Sequence, residues 1–214
     1  METNTYSISL TKNPIIAINV TPGHFTTNNL HTNNYLDVSE LKGDTAIAKD
    51  VAREIAIPYL STTLVDTIVC MEKMEVIGAY LAQELNQDGT SVMNTGRNIH
   101  VVSPMNNAYG KLIFPDSVVQ WISGKNILLL VATISSGRSL NIALECINYY
   151  GGKLAGISAL YRASEVKVDR DVYCLFTSED IPGYKLFNTA ECEMCREGHK
   201  LDAIISSEGY TKLE

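Results

Sequence analysis

The sequence predicts an α/β fold in which a largely parallel sheet is flanked by helices on both faces. Two observations lead to this prediction. Short apolar, β-branched segments alternate along the chain with amphipathic segments of about 10–15 residues. This alternation is typical of crossover connections on a buried parallel sheet. The strands are expected over residues 64–70, 98–102, 127–133 and 154–161.

Three helices are predicted from apolar residues at helical spacing, over residues 44–58, 76–85 and 140–151. In the first helix Ile47, Val51 and Ile55 recur every four residues. Asp44 precedes this run as a plausible N-cap, and Pro58 follows it as a stop. The first helix is therefore expected to bury one face and expose the other.

The two chain ends interrupt the alternation of strands and helices. Residues 1–43 and roughly 178–214 contain Asn, Thr, Gly, Pro and short strand-like pieces. We expect these two ends to form a small hood outside the main sheet, around a core of residues 44–177.

The composition indicates a folded protein with an acidic surface. Of the 214 residues, 45% are hydrophobic and only 19% are charged, so a sizeable core is expected and disorder is not. The 17 Lys and Arg against 24 Asp and Glu give a net charge of −7, which argues against nucleic acid or anionic lipid as a partner. Apolar runs fall far short of the ~20 residues that span a bilayer, and the amino terminus lacks the features of a secretory signal. We therefore expect a cytoplasmic protein with no membrane contact.

The turn after the third predicted strand suits a phosphate group. It comprises Ser135, Ser136, Gly137, Arg138 and Ser139. Ligands of open α/β sheets bind beyond the carboxyl ends of the strands, where a helix N-terminus presents free N–H groups to an anion. Gly137 permits a tight turn, and the serine hydroxyls add donors. An ordinary strand-to-helix turn with Ser139 as N-cap is the alternative.

Residues 127–140 resemble the phosphoribosyl-diphosphate-binding stretch of the type I phosphoribosyltransferases. Further segments, in matching order, resemble the hood, the segment after the mobile loop and the tail of the orotate phosphoribosyltransferase branch: residues 23–26, 34–37, 110–113 and 192–198. The resemblance implies the phosphoribosyltransferase fold and a homodimer. It also implies a phosphorylated small molecule, either a nucleotide or a sugar phosphate, as the partner.

The sequence departs from this family at the residues that handle the ribose. In active members two adjacent acidic residues end the strand before the phosphate loop and hold the ribose hydroxyls, whereas this chain has Val131 and Ala132 there. Two lost charge-assisted hydrogen bonds, at roughly 1.5–3 kcal/mol each, correspond to about 10²–10⁴ in ribose binding or transition-state stabilisation.

Three further segments depart from the family pattern. The counterpart of the mobile loop, residues 100–110, contains no Lys or Arg to neutralise departing pyrophosphate, and Lys111 is the nearest cation. The loop of residues 71–75 lacks the glycine that brings the backbone close to the diphosphate. The Ser-Gly pair of the hood is replaced within residues 27–31.

Three functions are consistent with this pattern. The first is a phosphoribosyltransferase-like protein that binds a 5′-phosphorylated ribose compound or nucleotide without the usual transfer. The second is an active transferase of nucleotide metabolism, a glycosyltransferase that forms orotidine monophosphate from orotate and phosphoribosyl diphosphate, with magnesium as a possible cofactor. The third is a non-catalytic regulatory or partner-binding protein. The sequence assigns no catalytic residue.

A zinc site is a further possibility. Cys192 and Cys195 form a C-x-x-C pair, and Cys174 and His199 complete a possible set of four ligands. Such a pair alone has many explanations that involve no metal. The five cysteines are an odd count, which favours reduced thiols over a disulfide framework.

The remaining titratable candidates are expected to be structural. His24, His31 and His100 have no neighbours at a spacing that indicates nucleophilic catalysis, so each is expected to be a hydrogen-bonded structural histidine. Glu72 and Glu75 lie three apart at an expected helix start, where solvated carboxylates favour the helix dipole. Metal binding by these two carboxylates is the alternative.

Overall fold

The computed structural model describes residues 4–27, 30–88, 92–164, 166, 169–206 and 209–213. Its strands are β1 (Tyr6–Leu10), β2 (Asn13–Thr26), β3 (Leu30–Asp37), β4 (Thr67–Cys70), β5 (His100–Val102), β6 (Met105–Asn106), β7 (Leu112–Ile113), β8 (Asn126–Ile134), β9 (Lys153–Arg162), β10 (Tyr173–Thr177), β11 (Leu186–Asn188), β12 (Ala203–Ser206) and β13 (Gly209–Lys212). Its α-helices are α1 (Ser39–Gly43), α2 (Thr45–Ala56), α3 (Glu75–Leu85), α4 (Asp116–Val119), α5 (Arg138–Tyr149) and α6 (Glu193–Arg196). None of the helices within these ranges has the length and apolarity needed to cross a membrane.

Five parallel strands form the main sheet, in the order β10-β9-β8-β4-β5. All four segments predicted as strands lie in it, so the predicted α/β fold with a parallel sheet is confirmed. β10 is an additional edge strand that the sequence pattern did not indicate. It pairs only with β9 among the strands of the described chain.

Side chains of the main sheet alternate between two apolar layers. Leu128 and Leu130 of β8 pack in the layer that contains the buried faces of α2 and α3. Leu129 and Val131 point to the opposite layer, which contains the buried face of α5. Because successive side chains of a strand point to opposite faces, a strand buried on both sides reads as a continuous apolar run. The position of α2 and α3 on one face of the sheet and of α5 on the other agrees with the predicted arrangement of helices on both faces.

The predicted cap of α2 is confirmed. Asp44 Oδ1 accepts hydrogen bonds from the backbone N–H groups of Ala46 and Ile47, at 2.8 and 3.1 Å. The helix ends at Ala56, two residues before Pro58. Capping by an aspartate supplies partners for N–H groups that the helix itself leaves unpaired.

Both chain ends contribute to a second sheet of six strands. Its order is β11-β3-β2-β12-β13, and β1 pairs with β2. We call this sheet, β1–β3 with β11–β13, the hood sheet. Ile16 and Ile18 of β2 pack in the same apolar layer as α2, so the hood sheet is anchored on the core. Phe25, Tyr35 and Ala203 form a smaller apolar cluster of their own.

A short two-stranded ribbon lies between β5 and α4, over residues 105–113. β6 pairs antiparallel with β7. Asn107 Oδ1 accepts hydrogen bonds from the N–H groups of Tyr109 and Lys111, at 2.9 and 3.0 Å, which closes the turn. The Tyr109 side chain is almost fully exposed at the tip of this ribbon.

Candidate functional site

A cleft of about 700 Å³ opens at the carboxyl end of β8. The end of β8 and the following loop form one side of it. Hood residues on β3 and β12, among them Tyr35, Ile204 and Ile205, form the other side. The cleft thus lies where ligands of open α/β sheets bind, beyond the carboxyl ends of the parallel strands.

The loop predicted to hold a phosphate lines this cleft with all five of its residues: Ser135, Ser136, Gly137, Arg138 and Ser139. The turn leads directly into α5, a helix of 12 residues. The first N–H groups of such a helix have no partner within the helix, and they lie at the positive end of its dipole. The loop therefore combines backbone N–H groups, serine hydroxyls and a cation on one side of the cleft. The Arg138 N–H donates a long hydrogen bond of 3.4 Å to Ser136 Oγ, within the loop itself.

Gly137, and not Ser139, is the N-cap of α5. Its φ of 73° is a left-handed conformation that glycine adopts without strain. A Cβ built at this position would lie 3.3 Å from Val166 Cγ1. Backbone conformation and packing therefore both favour glycine here, and Ser139 lies inside the first turn with its side chain exposed.

Val131 and Ala132 stand where the resemblance implies two acids, and both are buried. The Val131 side chain belongs to the α5 layer and the Ala132 side chain to the opposite one. A carboxylate nevertheless reaches this strand end from a neighbouring loop. Glu72 Oε2 accepts hydrogen bonds from the N–H groups of Ala132 and Thr133, both at 3.0 Å.

The position of Glu72 corrects the expectation of a solvated residue at a helix start. α3 begins at Glu75, with Met74 as N-cap. Glu72 lies before the helix, is partly buried and lines the cleft. Sequence reasoning missed its contact with β8 because the two positions are 60 residues apart. No local pattern reports such a pairing.

The backbone at Glu72 and Lys73 is left-handed, with φ values of 54° and 64°. A non-glycine residue in this region costs about 1–3 kcal/mol and persists only where surrounding contacts hold it. Lys42 Nζ donates to the Glu72 carbonyl oxygen at 3.1 Å, and the Glu72 carboxylate is held by the end of β8. The loop thus adopts a glycine-like turn without the glycine that the family pattern implies.

Two cations and one acid line the cleft among the described residues: Lys42, Arg138 and Glu72. Burial raises the pKa of Glu72, although the two N–H groups and Lys42 act in the opposite direction. Burial, with smaller contributions from Asp37 and Tyr210, raises the pKa of Tyr35 to about 12, so its hydroxyl is neutral. The charge balance favours an anionic ligand.

Magnesium fits these residues poorly. This ion requires a near-octahedral shell of oxygen ligands, usually with one or two carboxylates. In the described part of the cleft Glu72 is the single carboxylate, and two N–H groups already occupy its Oε2 atom. We therefore derive no chemical step through magnesium.

The structure brings the C-x-x-C pair to partners other than Cys174 and His199. Cys192 and Cys195 lie beside His24 of β2 and His31 of β3. Cys174 lies on β10, in the main sheet.

The imidazole of His199 is outside this group. Its Nε2 atom lies 3.6 Å from a Glu197 carboxylate oxygen.

Burial and the neighbouring His24 lower the pKa of His31, so its ring is neutral at neutral pH. His100 stacks on Trp121, with ring centroids 4.5 Å apart, away from this group.

No family model and no curated protein sequence matches the chain. Solved structures match its fold. UMP synthase of Leishmania donovani superposes with a TM-score of 0.55 at 19% identity, over 76% of this chain and 34% of that one. The chain therefore spans about a third of that protein.

Two further solved structures match with lower scores. Adenine phosphoribosyltransferase of Thermoanaerobacter pseudethanolicus has a TM-score of 0.49 at 14% identity, over 67% of this chain and 88% of that one. Orotate phosphoribosyltransferase of Mycobacterium tuberculosis has a TM-score of 0.47 at 13% identity, over 71% and 85%. The parallel sheet and the superposition on the Leishmania protein define the class of the chain as α/β. Within that class it has the fold of the type I phosphoribosyltransferases, as its motifs predicted.

Proposed function

We propose that the chain binds a 5′-phosphorylated ribose compound, such as a nucleotide, in the cleft and has little or no ribose-transfer activity. One observation carries this proposal. The five residues 135–139 line the cleft at the N-terminus of a 12-residue helix, with Gly137 in a left-handed conformation. This combination offers a phosphate the backbone amides, hydroxyls and positive potential that it requires.

The expected binding mode follows from the positions of the groups. The phosphate contacts the amides of the first turn of α5 and the side chains of Ser136, Arg138 and Ser139. These three residues are exposed at the cleft. The ribose then extends along the end of β8 toward Glu72. The rest of the ligand lies below the hood sheet, where Tyr35 offers a neutral hydroxyl.

Weak or absent transfer follows from the missing charges. The side chains of Val131 and Ala132 provide no acceptor for ribose hydroxyls, and residues 100–110 include no Lys or Arg for departing pyrophosphate. Glu72 supplies one carboxylate, but its Oε2 atom already binds the backbone of β8. Loss of an electrostatic stabiliser typically lowers a rate by about 10²–10³.

An active transferase is the second candidate, and the position of Glu72 favours it. This residue brings a carboxylate to the strand end where Val131 and Ala132 lack one. The Glu72→Gln variant separates the two functions. Phosphate-dependent binding survives this change if the protein only binds, whereas the rate of nucleotide formation falls sharply if Glu72 serves an active transferase.

Binding is tested by thermal shift and calorimetry. The ligands are inorganic phosphate, ribose 5-phosphate, phosphoribosyl diphosphate, orotidine monophosphate and other nucleoside monophosphates, with and without magnesium. The matching nucleosides without phosphate are the controls. A ligand at 100 times its Kd stabilises the folded state by about 2.7 kcal/mol, which produces a clear rise in Tm. Equal shifts with nucleosides and nucleotides contradict a phosphate site.

The Gly137→Val variant tests the loop itself. Valine at a left-handed position next to Val166 distorts the turn, so phosphate-dependent binding is lost. Gly124→Val is the matched control, because Gly124 has a φ of 72° but lies outside the cleft lining. Formation of orotidine monophosphate by the unaltered chain at the usual ~1–10³ s⁻¹ of enzymes contradicts impaired catalysis.

A homodimer is part of the same proposal, since it is implied by the family resemblance. Sedimentation at micromolar concentration tests it. A species of about twice the chain mass of 23.5 kDa supports the dimer, and a single species at 23.5 kDa contradicts it.

A further inference from the structure

Four nitrogen and sulfur side chains meet at one point of the hood. They are His24 of β2, His31 of β3, Cys192 just before α6 and Cys195 within α6. Their ligating atoms all lie within 4.8 Å of one another, and the residues other than Cys195 are buried. The two histidines lie more than 160 residues from the cysteines in the sequence, so folding brings them together.

Four of the six distances between these atoms, 3.1 to 3.7 Å, are close to those of a tetrahedral metal site. The His24 Nε2 atom lies 3.1 Å from His31 Nδ1 and 3.4 Å from Cys192 Sγ. The Cys195 Sγ atom lies 3.3 Å from His31 Nδ1 and 3.7 Å from His24 Nε2. A tetrahedral zinc with bonds of about 2.0–2.1 Å to nitrogen and 2.3 Å to sulfur places ligand atoms roughly 3.3–3.8 Å apart.

A second set of contacts orients one of the ligands. His24 Nδ1 lies 3.0 Å from the carbonyl oxygen of His199, to which it donates. The proton is therefore on Nδ1, and the lone pair of Nε2 points toward His31 and the two cysteines. A metal-bound histidine typically donates its other ring N–H in this way.

We propose that His24, His31, Cys192 and Cys195 bind one zinc ion in a closed structural site. Two thiols and two imidazoles are the ligand types that select zinc in a tetrahedral environment. Four protein ligands leave no open position, so this metal does not serve catalysis. Binding displaces the two thiol protons to solvent, and the thiolates then bond to the zinc.

The zinc has a mechanical role in the hood. It links the β2–β3 hairpin to the segment around α6, which are far apart in sequence. Leu30, which lines the cleft, directly precedes His31. The metal therefore holds one side of the cleft in place, whichever phosphorylated ligand the cleft accepts.

Metal content of the full-length chain tests this proposal. Mass spectrometry of the purified protein is expected to give one zinc per chain. The Cys195→Ser and His31→Ala variants are expected to fall at least tenfold in zinc content. The matched controls are Cys174→Ser and His199→Gln, which remove the alternative thiol and imidazole and are expected to keep one zinc per chain.

Cobalt substitution of the unaltered chain gives a readout that does not depend on the folding of a variant. Replacement of the zinc by Co²⁺ is expected to produce the visible bands of a tetrahedral ion and a thiolate-to-cobalt charge-transfer band. Three results overturn the proposal: a folded, reduced chain with less than a tenth of a zinc and no such bands; a Cys192–Cys195 disulfide in the freshly purified protein; or equal zinc loss in the control variants. Phosphate binding is measured separately, so failure of one proposal leaves the other intact.

Discussion

The main sheet and the hood sheet are held together by different forces. The central strands β4 and β8 are apolar and buried on both faces. The hood sheet also has buried apolar residues, but several of its buried side chains are polar, among them His24, His31, Thr32 and Asn34. Apolar burial is non-directional, whereas a buried polar group requires a partner in a specific place. The stability of the main sheet therefore depends mainly on the apolar composition of its strands. The stability of the hood sheet depends also on particular polar contacts between distant parts of the chain.

The largest expected effect tests the apolar half of this comparison. Leu129 is fully buried in the middle of β8. Leu129→Ala removes side-chain burial and leaves a cavity, so the free energy of unfolding is expected to fall by about 2–5 kcal/mol. Urea titration measures this change. Leu213→Ala, at a leucine that is 42% exposed, is the control and is expected to change stability little. If the free energy of unfolding falls by less than about 1 kcal/mol in Leu129→Ala, apolar burial is not the main source of stability in this sheet.

A smaller effect, confined to the hood, is expected from Gly23→Ala. A Cβ at this position would lie 2.8 Å from Asp202 Oδ2, which accepts a hydrogen bond from the His24 N–H. Overpacking of this kind typically costs about 1–3 kcal/mol. Hydrogen exchange is expected to accelerate in β2 and β12 and to remain unchanged in β8. Gly43→Ala is the matched control, because a Cβ there has no described neighbour within 4 Å. Uniform acceleration throughout the chain would show that hood and main sheet unfold as one unit.

A third prediction concerns the polar contacts of the main sheet. Asp66 Oδ2 accepts hydrogen bonds from the backbone N–H and the side-chain amide of Asn126, and Arg97 pairs with Oδ1. Burial acts to raise the pKa of Asp66, but these bonds outweigh it and lower the pKa. Asp66→Asn is expected to cost about 1–2 kcal/mol at neutral pH.

The pH dependence of this variant has a definite sign. Because the folded pKa of Asp66 is lowered, its contribution is present above the ordinary aspartate pKa and is lost as the pH falls through the folded pKa. The stability difference between the unaltered chain and Asp66→Asn should therefore shrink in acid. A constant difference across pH would exclude the carboxylate charge as its source.

The smallest effect is expected at Glu72, where the two sheets meet at the cleft. Burial raises the pKa of Glu72, so the folded state favours the protonated form. Ionisation of Glu72 therefore lowers the stability of the folded state as the pH rises from the ordinary glutamate pKa to this raised pKa, and the loss is constant above it. Glu72→Gln keeps an acceptor for the N–H groups of Ala132 and Thr133 and removes the charge. The variant is expected to be slightly more stable at neutral pH, and the gain should vanish in acid, as measured by urea titration at several pH values.

The sequence predicts the main sheet well because the patterns that specify its strands and helices involve residues that are close together in the chain. A strand buried on both faces appears in the sequence as a continuous apolar run, and Asp44 lies directly before the helix that it caps. The loop of residues 135–139 is predicted for the same reason, since Gly137 and its serines are adjacent in the chain, and the structure places all five residues at the cleft. Local information also has limits. β10 was missed because it is a five-residue edge strand with few fully buried positions.

The parts of the candidate site beyond residues 135–139 could not be predicted because their contacts are distant in sequence. Glu72 binds the backbone of β8, and backbone N–H groups carry no residue-specific signal. The C-x-x-C pair was recognised, but His24 and His31 were assigned separate structural roles. The sequence pattern instead combines this pair with Cys174 and His199, both of which lie nearer in the chain than His24 and His31. Only the pairing of β2 with β3 and the return of the carboxyl-terminal segment bring the four residues together.

The position of β12 has a consequence for the synthesis of the protein. β12 pairs with the end of β2, and β11 pairs with β3, but about 150 residues separate β3 from β11. At a translation rate of about 5–20 residues per second, the first hairpin waits roughly 7–30 s for its neighbours. During this interval the outer edge of β3 and the end of β2 are open to pairing with other chains. The strands that close these edges, β11 and β12, are therefore synthesised long after the hairpin that they complete.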